Sequence, residues 1–189
     1  MRGENGPGGS FFCPPEGEFI MNNKFTVRQL CVSAVFAALY AGITILTAPF
    51  SYGLVQFRFS EALVMLCVYE PLLGVGITLG CFLANLFSTV TALDLVVGTL
   101  ATALACLLTG KIRNPWLAAL PNILLNALLV GGMLAFVLFP ENVAAGFAVA
   151  ACQVGFGEAV VMYALGVPLF FFEQRTKLVR RLMQPGVAL

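Results

Sequence analysis

The chain has 189 residues, of which 60% are hydrophobic and 10% are charged, with a net charge of +1 and no histidine. A soluble domain has about 25% charged residues, so this composition excludes an ordinary globular protein and indicates one that lies in lipid. The small net charge argues against nucleic-acid binding, which normally needs a basic patch, and the lack of histidine removes the usual His-based metal sites and catalytic triads.

Residues 1–23 are predicted to be a disordered leader. They are rich in Gly, Pro and Glu and lack the apolar core of a signal peptide. Met21, which is followed by Asn-Asn-Lys, would make an ordinary start, and we hypothesise that translation begins there. The membrane domain is then expected to cover residues 24–175, with a basic cytoplasmic tail at residues 176–189.

Two apolar regions follow the leader. The first span is predicted from Val27 to Thr47, ending before Pro49. The second region, Ser60 to Ser88, is interpreted as one bent helix or as two short helices broken at Glu70-Pro71. A break is plausible there because proline lacks an amide hydrogen and disfavours helix at the residue before it.

Three further helices are predicted in the second half of the chain. The fourth element begins near Asp94 and ends at Gly110. The fifth begins at Asn114-Pro115-Trp116, with Asn as the cap, Pro at the first helical position and Trp at the level of the membrane interface. The last runs from about Val143 to Phe172.

The basic residues decide between five and six spans, because cytoplasmic loops carry an excess of Lys and Arg. With six spans all three basic clusters fall on one side. The predicted fold is therefore an all-α, polytopic membrane bundle of six transmembrane helices with both termini cytoplasmic. At 1.5 Å per residue, Ser60–Glu70 would reach only about 16 Å, so this element is expected to span incompletely or to borrow neighbouring residues. The clusters are Lys24 with Arg28, Lys111 with Arg113, and Arg175 with Lys177, Arg180 and Arg181.

The first helix carries a face of small residues. Such faces let helix backbones approach each other closely in lipid. The face serves either internal packing in the bundle or the docking of a separate membrane subunit. Its members are Ala34, Ala37, Ala38, Ala41 and Gly42.

In the six-span topology Arg58, Glu61 and Asp94 gather at the outer face. A charge in lipid marks a ligand or ion path by default, because it is costly there. Arg58 and Glu61, three residues apart, either pair with each other or reach a polar ligand. Gln56 and Ser60 add hydrogen-bonding capacity beside them. Asp94 stands where a helix N-cap belongs, which does not prevent it from facing a pocket.

Glu158 lies about halfway along the last helix, within Gly155-Phe156-Gly157-Glu158. An unpaired carboxylate there would be protonated or would need a partner. The two glycines leave room for a ligand or another backbone to come close. We therefore favour a role for Glu158 in binding over a purely structural one.

Amide side chains form a second group of polar residues in the spans. Asn122 and Asn126 are four residues apart and share one face of the fifth helix, and Asn85 lies in the third. Amides in lipid often bridge helices, so packing explains them as readily as ligand binding does. Their other use is to read the edges of a heterocycle.

No energy-converting or catalytic motif is evident. Lys111 follows a glycine, but the rest of a Walker A loop is missing, and neither a G-x-S-x-G elbow nor metal-ligand spacing occurs. No cofactor and no metal ion are therefore expected. The six cysteines are scattered and are interpreted as small packing residues.

These residues together resemble the QueT family, the substrate-binding S components of energy-coupling factor (ECF) transporters. The similarity covers residues 24–175, and its most specific part is the first of the motifs. The matching segments are Tyr52–Leu63 (YGLVQFRFSEAL), Gly80–Ser88 (GCFLANLFS), Leu93–Thr102 (LDLVVGTLAT), Lys111–Ala118 (KIRNPWLA), Asn122 with Asn126, and Gly155–Glu158.

The resemblance implies an S component in a bacterial cell membrane. The first helix would dock a transmembrane coupling subunit, which two cytoplasmic ATPases drive. The implied substrates are queuosine precursors or salvage forms, that is 7-deazaguanine bases, queuine or the nucleoside. By this logic Glu158 and Asn126 would bind the guanine-like face, and Asp94 or Glu61 would meet the 7-substituent, which is cationic in the aminomethyl and queuine forms.

Three other functions stay open from the sequence. The first is an S component for another vitamin-like heterocycle. The second is a membrane-embedded enzyme that uses Glu61, Asp94 or Glu158 as acid and base. The third is a small carrier that works alone. The enzyme lacks a nucleophile motif, and the carrier would be expected to show internal inverted repeats, which are not evident.

Overall fold

A computed structural model of the chain describes residues 26–51, 56–88 and 93–184. The predicted leader, the hypothetical start at Met21 and the Tyr52–Val55 part of the first motif lie outside these residues. Every regular element in the described ranges is helical, which agrees with the predicted all-α class.

Six helices in the described ranges have ten residues or more. Three of them, Val27–Leu46, Pro115–Leu138 and Val143–Thr176, are long and apolar enough to cross a membrane, and the other three are shorter. The six-span topology therefore stays a prediction. The helices are α1 (Val27–Leu46), a 3₁₀ helix (Phe59–Val68), α3 (Leu73–Asn85), α4 (Leu93–Thr109), α5 (Pro115–Leu138) and α6 (Val143–Thr176). Two short helices, α2 (Ala48–Ser51) and α7 (Leu178–Met183), complete the set.

The helix boundaries follow local sequence signals. The Asn114 side chain accepts a hydrogen bond from the Trp116 amide at 3.0 Å, and Pro115 is the first helical residue, as predicted. The region Ser60–Ser88 forms two helices, and the break falls at Glu70-Pro71. The last helix continues beyond the predicted Phe172 to Thr176.

The second helical segment has 3₁₀ geometry over ten residues, whereas such runs rarely exceed four. A 3₁₀ helix rises about 2.0 Å per residue, so ten residues cover roughly 20 Å, compared with about 15 Å in an α-helix. Because each residue advances further along the axis, the 3₁₀ geometry lengthens this segment, which the sequence analysis predicted to be too short to cross a membrane.

Two glycines bring α3 into backbone contact with α1. A Cβ atom at Gly76 would lie 2.2 Å from the carbonyl oxygen of Ser33, and one at Gly80 would lie 2.6 Å from that of Ala37. Ala37 and Ala41 are buried at this contact. Part of the small-residue face of α1 therefore serves internal packing.

The bundle is arranged for an apolar solvent. Large apolar side chains point outward, as in Val27 (76% exposed) and Leu46 (85%), while Glu61 and Asp94 are fully buried. A soluble protein shows the opposite order, since charged residues are almost never fully buried unless paired. The exposed apolar surface indicates a membrane protein.

The short helix α7 folds back across one end of the bundle. Arg28 Nε donates a hydrogen bond to the Leu182 carbonyl at 2.8 Å, and Gln184 Nε2 donates to Glu70 Oε2 at 2.8 Å. Burial raises the pKa of Glu70, and the hydrogen bond from Gln184 opposes that rise. These contacts bring the start of α1 and the turn before α3 to the end that holds the C-terminal basic residues.

The turn with Lys111 and Arg113 lies at the same end. Gly110 packs so closely there that an added Cβ atom would lie 3.1 Å from the carbonyl oxygen of Cys67, just before the Glu70 turn. The described members of the three basic clusters, which do not include Arg58, thus share one end of the bundle, as the six-span topology predicted. Lys24 lies outside the described residues, and the side of the membrane that this end faces stays a prediction.

We expect Gly76→Ala to destabilise the protein by about 1–3 kcal/mol, because the backbone of α1 must move away from the new methyl group. Gly42→Ala is the matched control, since nothing lies within 4 Å of a Cβ atom at that position. The control should be neutral or should stabilise by up to about 1 kcal/mol through helix propensity. Unfolding titrations in mixed micelles measure both, and equal stability of the two variants would contradict the close α1–α3 contact.

Candidate functional site

Polar side chains from six helices, with Arg58 just before the 3₁₀ helix, meet inside the bundle. We call this group the polar cluster. Each member is at most 4% exposed. Its members are Tyr40 of α1, Arg58 and Glu61 at the 3₁₀ helix, Asn85 of α3, Asp94 and Thr102 of α4, Asn122 and Asn126 of α5, and Glu158 of α6.

Arg58 and Asp94 form a buried ion pair. Arg58 Nη2 donates to both carboxylate oxygens of Asp94 at 2.9 and 3.0 Å, and Ser88 Oγ donates to Asp94 Oδ2 at 2.8 Å. The alternative in which Arg58 pairs with Glu61 is thus not the arrangement that the structure shows. Asp94 was predicted at the N-cap position, but it lies inside the first turn of α4. Its carboxylate binds Arg58.

Gly98 makes room for this ion pair. A Cβ atom there would lie 2.8 Å from Asp94 Oδ1, 2.9 Å from Asn85 Nδ2 and 3.3 Å from Arg58 Nη1. Asn85 Nδ2 in turn donates to the main-chain oxygen of Asp94 at 3.1 Å. A larger residue at position 98 would push these three side chains apart.

Glu61 is held by hydrogen bonds from two other helices. Tyr40 donates its hydroxyl hydrogen to Glu61 Oε1, and Thr102 Oγ1 donates to the same oxygen at 2.9 Å. The second oxygen, Oε2, makes no hydrogen bond with the described part of the protein. One side of this carboxylate is therefore anchored, and the other keeps its capacity to accept a hydrogen bond.

Glu158 is linked to the two amides of α5. Asn122 Nδ2 donates to Glu158 Oε2 at 3.0 Å, and Asn126 Nδ2 donates to Asn122 Oδ1 at 3.2 Å. Asn122 and Asn126 thus share a buried face, as their spacing predicted. Asn122 bridges α5 and α6, which is the packing role that the sequence left open.

The two carboxylate groups are close enough to interact. Glu61 lies near Glu158, and the Asn122 amide lies beside Glu61 as well as Glu158. With Asp94 included, the cluster holds three carboxylates and one guanidinium. An arrangement of this kind favours a ligand that carries hydrogen-bond donors or a positive charge.

Three acceptor atoms of the polar cluster make no hydrogen bond with the described residues. They are Glu61 Oε2, Asn85 Oδ1 and Asn126 Oδ1. The donor Gln56 Nε2, two residues before Arg58, is also without a hydrogen bond to the described residues. A buried polar atom without a partner costs about 1–3 kcal/mol, so several of them in one cluster suit a polar ligand.

The backbone departs from α-helical geometry beside each of the key residues. Glu61 lies in the 3₁₀ helix, Asn126 begins a π-helical turn (Asn126–Val130), and a second π-helical turn (Met162–Gly166) follows Glu158. The second turn precedes Pro168, which has no amide hydrogen for the α-helical pattern. Such segments are frequent at functional sites.

The predicted docking face of α1 is divided in two. Ala37 and Ala41 are buried against α3, whereas Ala34 and Ala38 are exposed. Gly42 is half-buried and has open space above it. The outward stripe of Ala34, Ala38 and Gly42 therefore remains accessible to another helix.

Sequence reasoning gave no role to Tyr40, Thr102 or Gly98. Tyr40 and Thr102 lie in apolar spans whose pattern shows only that they are helical. Thr102 and Gly98 fall within a segment that supports the family resemblance, but the segment does not reveal that they contact Glu61 and the Arg58–Asp94 pair. Among the described residues, no three His, Cys, Asp or Glu side chains are grouped closely enough to hold a metal ion.

Comparison with known proteins indicates one family. A family model described as QueT transporter matches residues 30–175. The chain is similar to the protein named Queuosine precursor transporter QueT of Lactococcus lactis subsp. cremoris (strain MG1363), with 37% identity over 81 residues. The matched region is 42% of this chain and 47% of that relative, so it spans about half of the relative's length. No solved structure matches the chain.

We expect Arg58→Met and Asp94→Leu to destabilise the protein by about 3–5 kcal/mol each, because each leaves the other charge buried without its main partner. The double variant should lose at least about 2 kcal/mol less than the sum, since it buries neither charge. Unfolding titrations in micelles give the coupling energy.

The control for this cycle is Val96→Ala combined with Arg58→Met. Val96 lies on α4 like Asp94, but its side chain is exposed, so its effect should add to that of Arg58→Met. Simple additivity in the Arg58–Asp94 cycle would contradict the importance of the ion pair.

Proposed function

The chain belongs to the QueT transporter family, and from that premise we propose that it is the substrate-binding S component of an ECF-type importer. The family match confirms the resemblance drawn from the sequence motifs. The proposed substrate is a queuosine precursor or salvage form, a 7-deazaguanine base, queuine or queuosine, captured from outside the cell for ATP-driven uptake. The family is one of transporters, which fits a protein that is not an enzyme.

The single observation that carries the substrate proposal is the presence in the polar cluster of three buried acceptors that make no hydrogen bond with the described residues. A guanine-like ring presents N–H donors along one edge. Asn126 Oδ1 and Glu61 Oε2 are buried acceptors without a hydrogen bond to the described residues. Glu158 lies beside Asn122 in the same group. These side chains would accept from the donor edge of the base.

Glu61 is a better candidate than Asp94 for the 7-substituent. Both oxygens of Asp94 are engaged by Arg58, and Ser88 also donates to one of them, whereas one oxygen of Glu61 makes no hydrogen bond with the described residues. The aminomethyl and queuine forms carry a positive charge at this substituent. Glu61 Oε2 would accept a charge-assisted hydrogen bond from these cationic forms.

Coupling to an energy source is proposed to occur through α1. The outward stripe of Ala34, Ala38 and Gly42 offers a smooth surface on which the helix of a coupling subunit can approach closely. The chain has no Walker A motif of its own. Two cytoplasmic ATPases acting on the coupling subunit would supply the energy.

The proposed orientation places both termini in the cytoplasm of a bacterial cell. The described members of the three basic clusters share the end that α7 covers, and cytoplasmic segments carry the Lys/Arg excess. The Arg58–Asp94 pair lies at the start of the 3₁₀ helix and the start of α4. The opposite ends of these two helices lead into the Glu70 and Gly110 turns, which lie at the basic end. The cluster would accordingly receive its substrate from the outer side.

We expect the purified protein to bind 7-aminomethyl-7-deazaguanine, and Glu158→Gln and Asn126→Ala each to weaken binding about tenfold or more. Each variant removes a buried acceptor and leaves a donor of the bound base unsatisfied, which costs about 1–3 kcal/mol. About 1.4 kcal/mol corresponds to a tenfold loss of affinity. Isothermal titration calorimetry in detergent measures the affinity. A panel of vitamin-like heterocycles tests the specificity in the same experiment.

Asn142→Ala serves as the control for these two variants. Asn142 is an exposed amide that caps α6 by accepting from the Ala145 amide at 3.2 Å, so its loss should leave the affinity unchanged. If both Glu158→Gln and Asn126→Ala bind like the unsubstituted chain, the proposed site is wrong. If an unrelated vitamin binds more tightly than 7-aminomethyl-7-deazaguanine, the proposed substrate is wrong and that vitamin takes its place.

We expect Ala38→Trp to abolish uptake without changing substrate affinity, because the indole ring would hold the coupling subunit away from α1. The measurement is uptake of labelled substrate by cells that express the chain together with a coupling subunit and ATPases. Leu83→Trp, on the exposed face of α3, is the control and should leave uptake intact. Normal uptake by Ala38→Trp would exclude the stripe as the docking site.

A further inference from the structure

Two hydroxyl groups from different helices hold the same oxygen of Glu61. Tyr40 of α1 and Thr102 of α4 are at most 1% exposed, and both donate to Glu61 Oε1. A carboxylate oxygen has two lone pairs, so this atom is fully occupied. The other oxygen, Oε2, is buried and makes no hydrogen bond with the described residues. The two donors therefore decide which oxygen of Glu61 is left for a ligand.

Each of these donors is itself held in place. The Thr102 hydroxyl oxygen lies 3.3 Å from Cys81 Sγ, and Asn85 Nδ2 donates to that sulfur at 3.5 Å. Tyr40 packs against α3 so closely that a Cβ atom added at Gly80 would lie 2.8 Å from the Tyr40 Cβ atom. Because neither donor can follow a turning carboxylate, the two hydrogen bonds fix the carboxylate in one orientation.

A contact that served only to join the helices would not need this arrangement. One helical turn beyond Tyr40, Thr44 Oγ1 already joins α1 to the 3₁₀ helix, since it lies 2.6 Å from Ser60 Oγ. A structural contact would also be expected to use both carboxylate oxygens, because a buried acceptor without a partner is costly. Hydrogen bonds that orient a binding group and leave one of its atoms open are instead what a selective site needs.

We propose that Tyr40 and Thr102 determine the selectivity of the chain for the charge of the ligand's 7-substituent. They hold Glu61 so that Oε2 accepts a charge-assisted hydrogen bond from a cationic group, and such bonds are roughly twice as strong as neutral ones. A carboxylate that can turn freely must be ordered again when the ligand binds, which costs affinity. This role rests on the proposed function and names the side chains that select the substrate's charge.

The test compares 7-aminomethyl-7-deazaguanine, which is cationic, with 7-methyl-7-deazaguanine, which lacks the amino group, by calorimetric titration of the full chain in detergent. The unsubstituted chain should bind the aminomethyl base more tightly. Tyr40→Phe and Thr102→Val should each weaken its binding about two- to tenfold, the cost of ordering one side chain, and should leave the methyl base unaffected. Thr102→Ser keeps the hydroxyl group and should keep the preference.

Two matched variants outside the polar cluster serve as controls. Thr109→Val removes a buried hydroxyl group of α4 that donates to the Ala118 carbonyl at 3.0 Å. Tyr69→Phe removes a hydroxyl group that donates to the Phe170 carbonyl at 3.2 Å. Both should leave the ratio of the two affinities unchanged, even where they lower the stability of the protein.

The ratio of the two affinities separates selectivity from a structural role. An unchanged ratio in Tyr40→Phe and Thr102→Val would overturn the inference, and so would a parallel loss of both bases, which indicates a structural role. Loss of the preference in Thr102→Ser would also contradict it. If the unsubstituted chain binds neither base, the proposed function is wrong and this inference fails with it, whereas an unchanged ratio leaves the proposed function intact.

Discussion

The constraint on which the rest of the structure depends is the need to neutralise charge inside a bundle that faces lipid. An arginine or a carboxylate that loses its partner there costs several kcal/mol. Arg58 and Asp94 meet this need by pairing across 36 residues of sequence. The pair ties the start of the 3₁₀ helix to the start of α4, and it can form only because Gly98 leaves space beside it.

The remaining polar residues are satisfied less completely, and this difference matters for function. Glu61 is anchored through one oxygen by Tyr40 and Thr102, and Glu158 is bound by Asn122. One acceptor atom of each of Glu61, Asn85 and Asn126 makes no hydrogen bond with the described residues. A bundle built only for stability would gain by filling these positions with apolar side chains. The presence of these polar side chains is explained if a ligand supplies the missing hydrogen bonds.

The structure separates the surfaces that the proposed tasks require. The polar cluster is enclosed by the helices, and the outward stripe of Ala34, Ala38 and Gly42 lies on the outside of α1. Because the two sites are separate, docking of a helix on α1 need not obstruct a ligand in the polar cluster. The basic end, covered by α7, is distinct from the polar cluster.

Composition and local patterns determined the membrane class, the positions of the helices, the Asn114 cap and the break at Glu70-Pro71, because these depend on hydrophobicity and on the backbone properties of single residues. Sequence spacing also placed Asn122 and Asn126 on one face. The partner of Arg58 was decided by the tertiary structure alone. Arg58 precedes the 3₁₀ helix, so the i, i+3 spacing to Glu61 does not bring them together as it would within a helix. Tyr40 and Thr102 likewise become partners of Glu61 only when α1 and α4 pack against the 3₁₀ helix, since contacts between distant segments depend on packing that no local pattern encodes.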